Sequence, residues 1–320
     1  MGRYILRRLL QAIPILLLLT IFMFALIHLM PGGPEQVFFN PHLTPAAQQE
    51  MRVRFGLTDP LPIQYLKWLG QTLTGNFGFS YADNLPVTYL LGQRFPNTLQ
   101  LFVPAFVLAL ILALFLGVVS GVRQGTILDY SLTTISYFGI AMPAFLLGLL
   151  LQFVFGVWLK VLPTSGTQTL GVQFSPVGAA FDHLQHLILP VLTLAALSIA
   201  GWSRYMRSSM IEVVKQDYMR TARSKGVGTA SALFRHALRN AVIPLITVVA
   251  IDFAAVAGGA TITEGVFAWP GMGGLFFSSL ESRDYPVLLA ILTIGGVLVI
   301  LFNLIADVLY GVMDPRIRYS

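Results

Sequence analysis

Residues 99–122 read LQLFVPAFVLALILALFLGVVSGV and contain no Asp, Glu, Lys or Arg. A helix rises about 1.5 Å per residue, so this run can cross the roughly 30 Å hydrocarbon core of a bilayer. The whole chain has the same character, because 56% of its 320 residues are hydrophobic and 11% are charged. Soluble domains carry about 25% charged residues, and we therefore expect an integral membrane protein.

Five further apolar stretches predict five more transmembrane helices. The third span, Tyr130–Leu159, is long enough to tilt or to continue as an interfacial helix. The fourth span, Leu187–Trp202, is the shortest, and it becomes longer if the helix starts at His183. The expected fold is all-α with six transmembrane helices, at Leu9–Met30, Leu99–Val122, Tyr130–Leu159, Leu187–Trp202, Ala241–Ile262 and Pro286–Val312. The expected organisation is an N-terminal helix (1–30), a folded extracytoplasmic loop (31–98), a transmembrane core (99–312) that includes a cytoplasmic loop (204–240), and a tail (313–320).

Most of the 20 Lys and Arg residues lie on one side of these spans. They precede the first span, follow the second, fill the loop between the fourth and fifth, and end the chain. Positive residues favour the cytoplasmic side, so both termini and the 204–240 loop are expected in the cytoplasm, and the protein in the plasma membrane. The net charge of +6 is then a topology signal, and no nucleic-acid partner is expected.

The three segments outside the spans carry turn and cap signals. In the outer loop, Thr44-Pro45 predicts the start of a short helix, and Ile63–Leu73 predicts an amphipathic helix with Tyr65 and Trp68 at the membrane interface. This loop could be a packed cap or a docking surface. In the last outer segment, Thr263–Tyr285, we expect Trp269 at the membrane interface, beside a glycine-rich turn.

The basic cytoplasmic loop predicts two short helices. Met206–Lys225 forms the first, Gly226 ends it in a left-handed conformation, and Thr229 caps the second, Ala230–Ala241. A compact protrusion of this kind suits docking to a protein, and it equally suits a positive loop that lies on anionic headgroups.

Catalytic and nucleotide-binding motifs are absent from the sequence. It contains no G-x-x-x-x-G-K-[ST], G-x-S-x-G or H-E-x-x-H, and its five histidines and lack of cysteine predict no metal site. Asp252 is the one acid deep in a span, which does not favour an ion-coupled secondary transporter. We expect a conduit without catalysis of its own, powered by another polypeptide.

Five segments, in order along the chain, resemble the permeases of the dipeptide/oligopeptide ABC importer family. They are Tyr4-Ile-Leu-Arg-Arg8 through Pro31-Gly-Gly-Pro34; Phe55-Gly-Leu-Thr-Asp-Pro60, Gln64-Tyr-Leu-Lys-Trp-Leu69 and Gly75-Asn-Phe-Gly78; Tyr218-Met-Arg-Thr-Ala-Arg-Ser-Lys-Gly226 with Phe234-Arg-His-Ala-Leu-Arg-Asn-Ala-Val-Ile-Pro-Leu245; Glu264-Gly-Val-Phe-Ala-Trp-Pro-Gly271 with Arg283-Asp-Tyr-Pro286; and Asp314-Pro-Arg316.

The resemblance implies a type I ABC importer transmembrane subunit, with one N-terminal helix added to a five-helix core. It implies a second homologous permease, two cytoplasmic ATPases that bind ATP and Mg, and an extracytoplasmic peptide-binding protein, with no cofactor in this chain. The general importer pattern has Glu-Ala-Ala before the glycine, where this chain has Arg220-Thr-Ala222. The residues expected to couple the chain to an ATPase are Arg220, Thr221, Ala222, Gly226, Leu233, Arg235, His236, Arg239 and Asn240.

Other residues are candidates for the substrate path and for the outer partner. Asp252 and Met142 are assigned to the path, although Asp252 could instead be a hydrogen-bonded acid that holds helices together. The outer docking candidates are Glu264, Trp269, Arg283 and Asp284. Alternative functions are a nickel or other small-solute permease, an ion-coupled secondary transporter, and a structural assembly subunit.

Overall fold

The computed structural model describes residues 2–29, 44, 46, 49–50, 53, 58–254 and 260–313, and these residues are mainly helical. In chain order the helices are α1 (Gly2–Leu29), α2 (Leu61–Leu73), α3 (Val87–Val122), α4 (Ile127–Ala141), α5 (Ala144–Leu151), α6 (Pro176–Val214), α7 (Asp217–Ser224), α8 (Thr229–Ala232), α9 (Leu238–Ala254), α10 (Thr261–Val266), α11 (Met272–Glu281) and α12 (Tyr285–Met313). Two π-helical segments continue α5 and α8, at Gln152–Trp158 and Leu233–Ala237.

The expectation of an all-α membrane protein is confirmed. Within the described residues, five helical stretches are long and apolar enough to cross a membrane, and one bent helix pair raises the number to six. The five stretches are Leu6–Leu29, Val87–Val122, Pro176–Val214, Thr229–Val249 and Tyr285–Ile305.

The third predicted span is broken where a single helix was expected. The pair made by α4 and by α5 with its π-helical continuation is bent by 105°. Met142, between α4 and α5, has φ −82° and ψ 122°, and Pro143 follows it. A residue before proline is disfavoured in the helical region, because the proline ring clashes with its backbone. The Met142-Pro143 step is therefore a break between two helices, rather than a kink within one span.

Two spans extend well beyond the hydropathy pattern. The helix α3 begins at Val87, inside the segment expected to belong to the outer loop, and continues through Pro96 and Pro104. The helix α6 begins after Ser175, whose hydroxyl accepts a hydrogen bond from the Gly178 amide at 3.2 Å, and it has Pro176 at its first position. A serine cap followed by proline is a strong helix start, which explains why α6 begins before the apolar run.

The core of the bundle is the contact between α3 and α6. A Cβ atom added at Gly117 would lie 2.5 Å from Cβ of Met206, and one at Gly121 would lie 2.6 Å from Cβ of Met210. Small residues at these two positions therefore let the two backbones approach closely, as is common between membrane helices.

The predicted outer helix is present and packs on α1. The ring of Tyr65 lies 5.5 Å from that of Phe24, and the ring of Trp68 lies 6.0 Å from it. The Tyr65 hydroxyl also lies 3.0 Å from Oγ1 of Thr20. The helix predicted from Thr44-Pro45 lies largely outside the described residues, as does the Asp314-Pro-Arg316 ending.

Candidate functional site

The segment Met206–Lys225, which was predicted to be one helix, is two. Its first part belongs to α6, which ends at Val214, and its second part is the separate helix α7. The amides of Lys215 and Gln216 bond three residues back, to the carbonyls of Glu212 and Val213, both at 3.2 Å. Such short-range bonds tighten and close the last turn of a helix.

Gly226 ends α7 in the way that the sequence predicts. Its φ is +78°, in the left-handed region. The amide of Val227 donates to the carbonyl of Ala222 at 3.1 Å, which is the six-to-one bond of a Schellman motif. Among the described residues, none apart from its chain neighbours lies within 4 Å of a Cβ built at Gly226, so backbone conformation and not space favours glycine here.

The helix α7 has one buried anchor and an exposed surface. Met219 is completely buried in the same apolar cluster as Met206 and Met210 of α6. Thr221 is exposed and Ala222 is half-buried. The Arg220 guanidinium lies 3.7 Å from Asp217, but both side chains are open to solvent, so this ion pair adds little stability.

The second helix predicted in the 204–240 loop merges with the fifth span. Thr229 is its first residue and not its cap, because the cap position is held by Gly228, which offers no side-chain acceptor. The predicted coupling residues on this helix are Leu233, which is half-buried, and Arg235, His236, Arg239 and Asn240, which are exposed.

A hydrogen bond joins α7 to the start of α9. The Asn240 side-chain amide donates to the hydroxyl of Tyr218 on α7 at 3.1 Å, and also to the carbonyl of His236. The structure therefore brings α7 and the start of α9 together, with Asn240 at the contact.

An ion pair near α7 was not predicted from the sequence. Arg207 on α6 donates from Nε and Nη2 to the two carboxylate oxygens of Asp129 on α4, at 2.6 and 2.8 Å. The Asp129 side chain is 1% exposed. Ser120 and the amide of Gly125 also donate to this carboxylate, at 2.5 and 3.0 Å. The sequence did indicate that Asp129 lies in the first turn of a helix, because it stands three residues after the capping Thr126. It gave no sign of the partner, because Arg207 lies 78 residues away.

The two residues assigned to the substrate path lie on different elements. Met142 is half-buried at the break between α4 and α5. Asp252 is exposed on α9, and its Oδ2 accepts a hydrogen bond from the Trp202 indole at 2.6 Å. Trp202 itself is 2% exposed, so a rigid group on α6 fixes one side of an exposed carboxylate.

Glu264, which was expected to be an outer docking residue, is buried. It is 1% exposed, and its carboxylate accepts from the Thr98 hydroxyl at 2.7 Å. It also accepts from the amides of Gly273 and Gly274, at 2.7 and 3.2 Å, in the first turn of α11. A carboxylate at this place satisfies amides that the helix leaves unpaired and complements the helix dipole. The side chain therefore stabilises the start of α11.

Trp269 and Asp284 are also buried, each 2% exposed, which leaves their side chains unavailable for docking. The Trp269 indole donates to the carbonyl of Asn97 at 2.9 Å, inside the protein. The Asp284 carboxylate accepts from the hydroxyl of Ser80 and from the amide of Tyr81 at 3.0 Å. Burial, with a further contribution from the Asp284 carboxylate, raises the pKa of the Tyr81 phenol.

Arg283 is the one outer candidate that is half-buried, and its φ is +56°.

Among the residues that the structure describes, no group of three or more His, Asp or Glu side chains could hold a metal ion.

Family models match nearly all of the chain. Residues 113–319 match the model described as binding-protein-dependent transport system inner membrane component, and residues 1–102 match the model of the corresponding N-terminal region. The oligopeptide transport system permease protein AppB of Bacillus subtilis is 43% identical over 320 residues, which is all of both chains. The glutathione transport system permease protein GsiC of Salmonella typhimurium is 37% identical, again over the full length of both chains.

Proposed function

Because this chain belongs to the family of binding-protein-dependent transport system inner membrane components, we propose that it is the permease subunit of an ATP-driven peptide importer. Membership implies a multi-pass membrane permease that works with an ATPase and a binding protein. The proposed cargo is a peptide, since relatives named for oligopeptide and glutathione transport match the whole chain.

The observation that carries the coupling role is the form of α7. A short helix with exposed Thr221 and a left-handed glycine end follows the long helix α6 after two residues, and its buried Met219 lies in the apolar cluster that includes Met206 and Met210 of α6. An ATPase that binds this surface can therefore push on α6 directly. Two ATPase subunits would hold the ATP and Mg, and this chain would contribute no catalytic group.

The orientation that fits this role has both termini and α7 in the cytoplasm. Arg235 and Arg239 stand exposed near α7, as expected for positively charged residues on the cytoplasmic side. The binding protein would then approach from the opposite side. Because Glu264, Trp269 and Asp284 are buried, their role there would be to shape the outer loops.

Asp252 supports a substrate path between this chain and a second, homologous permease. A carboxylate that faces lipid from a membrane helix is costly, so its exposed side should meet water or protein. Trp202 occupies only Oδ2 of this carboxylate in the described contacts. The other oxygen would line the water-filled cavity between the two permeases, where it can attract cationic groups of the cargo.

Uptake by intact cells tests the function. Cells that express the complete transporter should accumulate labelled trialanine after a protonophore collapses the proton gradient, and should stop when ATP is depleted. Accumulation that follows the proton gradient and survives ATP depletion would instead support an ion-coupled secondary transporter. Competition by nickel but not by peptides would contradict the proposed cargo.

A further inference from the structure

We propose that the Asp129–Arg207 ion pair is a positioning element that makes α4 follow α6 when the ATPases act on α7. This inference rests on the proposed function, because it assigns a route for the coupling that the importer requires. Its basis is the chain of contacts that connects α7, α6 and α4.

The first contact attaches α7 to α6. Only Lys215 and Gln216 separate α7 from α6, and Met219 is completely buried in the apolar cluster that includes Met206 and Met210 of α6, so a displacement of α7 is passed to the end of α6. Arg207 lies between these two methionines in sequence. It stands seven residues before Val214, the last residue of α6, or about 10 Å along the helix.

The second contact attaches α6 to α4. The planar guanidinium of Arg207 holds both oxygens of Asp129, at 2.6 and 2.8 Å, and a paired geometry of this kind resists rotation as well as separation. Ser136 on α4 adds a hydroxyl contact to Ser203 on α6 at 3.2 Å. These contacts lie on the part of α4 that precedes the Met142 break.

The environment makes the pair rigid. Asp129 also accepts from Ser120, at the end of α3, and from the Gly125 amide. The helix α3 is held against α6 at Gly117 and Gly121, where a side chain would collide with the methionines. The ends of α3 and α6 and the start of α4 therefore form one unit. The break at Met142 is where α5 can change its angle relative to that unit.

The test compares transport with ATP hydrolysis in the complete, reconstituted complex. The double variant Asp129→Asn with Arg207→Gln removes both charges, so neither is left buried and unpaired. We expect normal assembly and ATP hydrolysis, but on the order of tenfold less trialanine transported per ATP. A tenfold change is within the range expected when the free energy that couples two sites is lost. The matched control is Glu212→Gln, which removes an exposed charge from the same helix without touching α4. The control should keep the unmodified ratio.

An unchanged transport-to-ATP ratio in the double variant would overturn the proposal, as would equal losses of transport and hydrolysis. If the double variant does not assemble, Arg207→Lys decides, because it keeps the charge but loses the two-point contact. An assembled Arg207→Lys complex with a normal ratio refutes the positioning role. Failure of the proposed function would look different, since the unmodified complex would then show no ATP-dependent uptake.

Discussion

Replacing Glu264 should destabilise the start of α11 by an amount set by the hydrogen bonds of its carboxylate. Glu264→Ala leaves the Gly273 and Gly274 amides without the acceptor that they have now, in a site that is 1% exposed. An unpaired buried donor costs about 1–3 kcal/mol, which gives roughly 4 kcal/mol for the two. Glu264→Gln can keep one oxygen acceptor but loses the charge, and we expect about 2 kcal/mol, because bonds to charged groups are about twice as strong.

Thermal unfolding of the purified complex measures this effect. A loss of about 1 kcal/mol lowers the melting temperature by roughly 2–4 °C in chains of 150–250 residues, so the Gln variant should melt about 5 °C lower. The control is Glu281→Gln, which removes an exposed acid at the other end of α11 and should change stability by less than about 0.5 kcal/mol. Equal melting temperatures for the two Gln variants would refute the structural role of Glu264.

Three further predictions concern coupling, topology and the substrate path. The Gly226→Val protein should insert normally but lose ATPase subunits on purification, because the left-handed conformation costs a β-branched residue at least about 1–2 kcal/mol. The control Gly226→Asn should retain the ATPase subunits. Full ATPase content in the Val variant would contradict the coupling assignment. In this cysteine-free chain, an impermeant maleimide added outside intact cells should label Asp83→Cys and not Ser224→Cys, and the reverse pattern would invert the topology. Asp252→Asn should assemble normally and reduce uptake of trilysine more than that of trialanine, whereas equal effects on both peptides would leave Asp252 with only its structural bond to Trp202.

The features that follow from local sequence were predictable. Apolar runs give membrane helices because the bilayer requires their length, and Gly226 ends a helix because glycine adopts the left-handed conformation without strain. The break at Pro143 was readable in part, since proline restricts the residue before it, but the 105° angle depends on the packing of α4 and α5 on the other helices.

The features that depend on distant partners were not predictable from one sequence. Glu264 and Trp269 lie in a segment whose polar and aromatic composition is typical of an exposed loop. In the structure both side chains bond to α3, Glu264 to the Thr98 hydroxyl and Trp269 to the Asn97 carbonyl. Arg207 looks like one more positive residue of a cytoplasmic loop, and only the packing of α4 on α6 gives it Asp129 as a partner.

Cross-linking from α7 tests the central claim most directly. A photo-activated cross-linker on Ala222→Cys, in the assembled transporter, should attach to the ATPase subunit, and the same cross-linker on Asp83→Cys should not. The cross-link should persist when ATP is added, because α7 is proposed to move together with the ATPase. Absence of any cross-link from Ala222→Cys to the ATPase, in a complex that still hydrolyses ATP and transports trialanine, would contradict the assignment of α7 as the coupling helix.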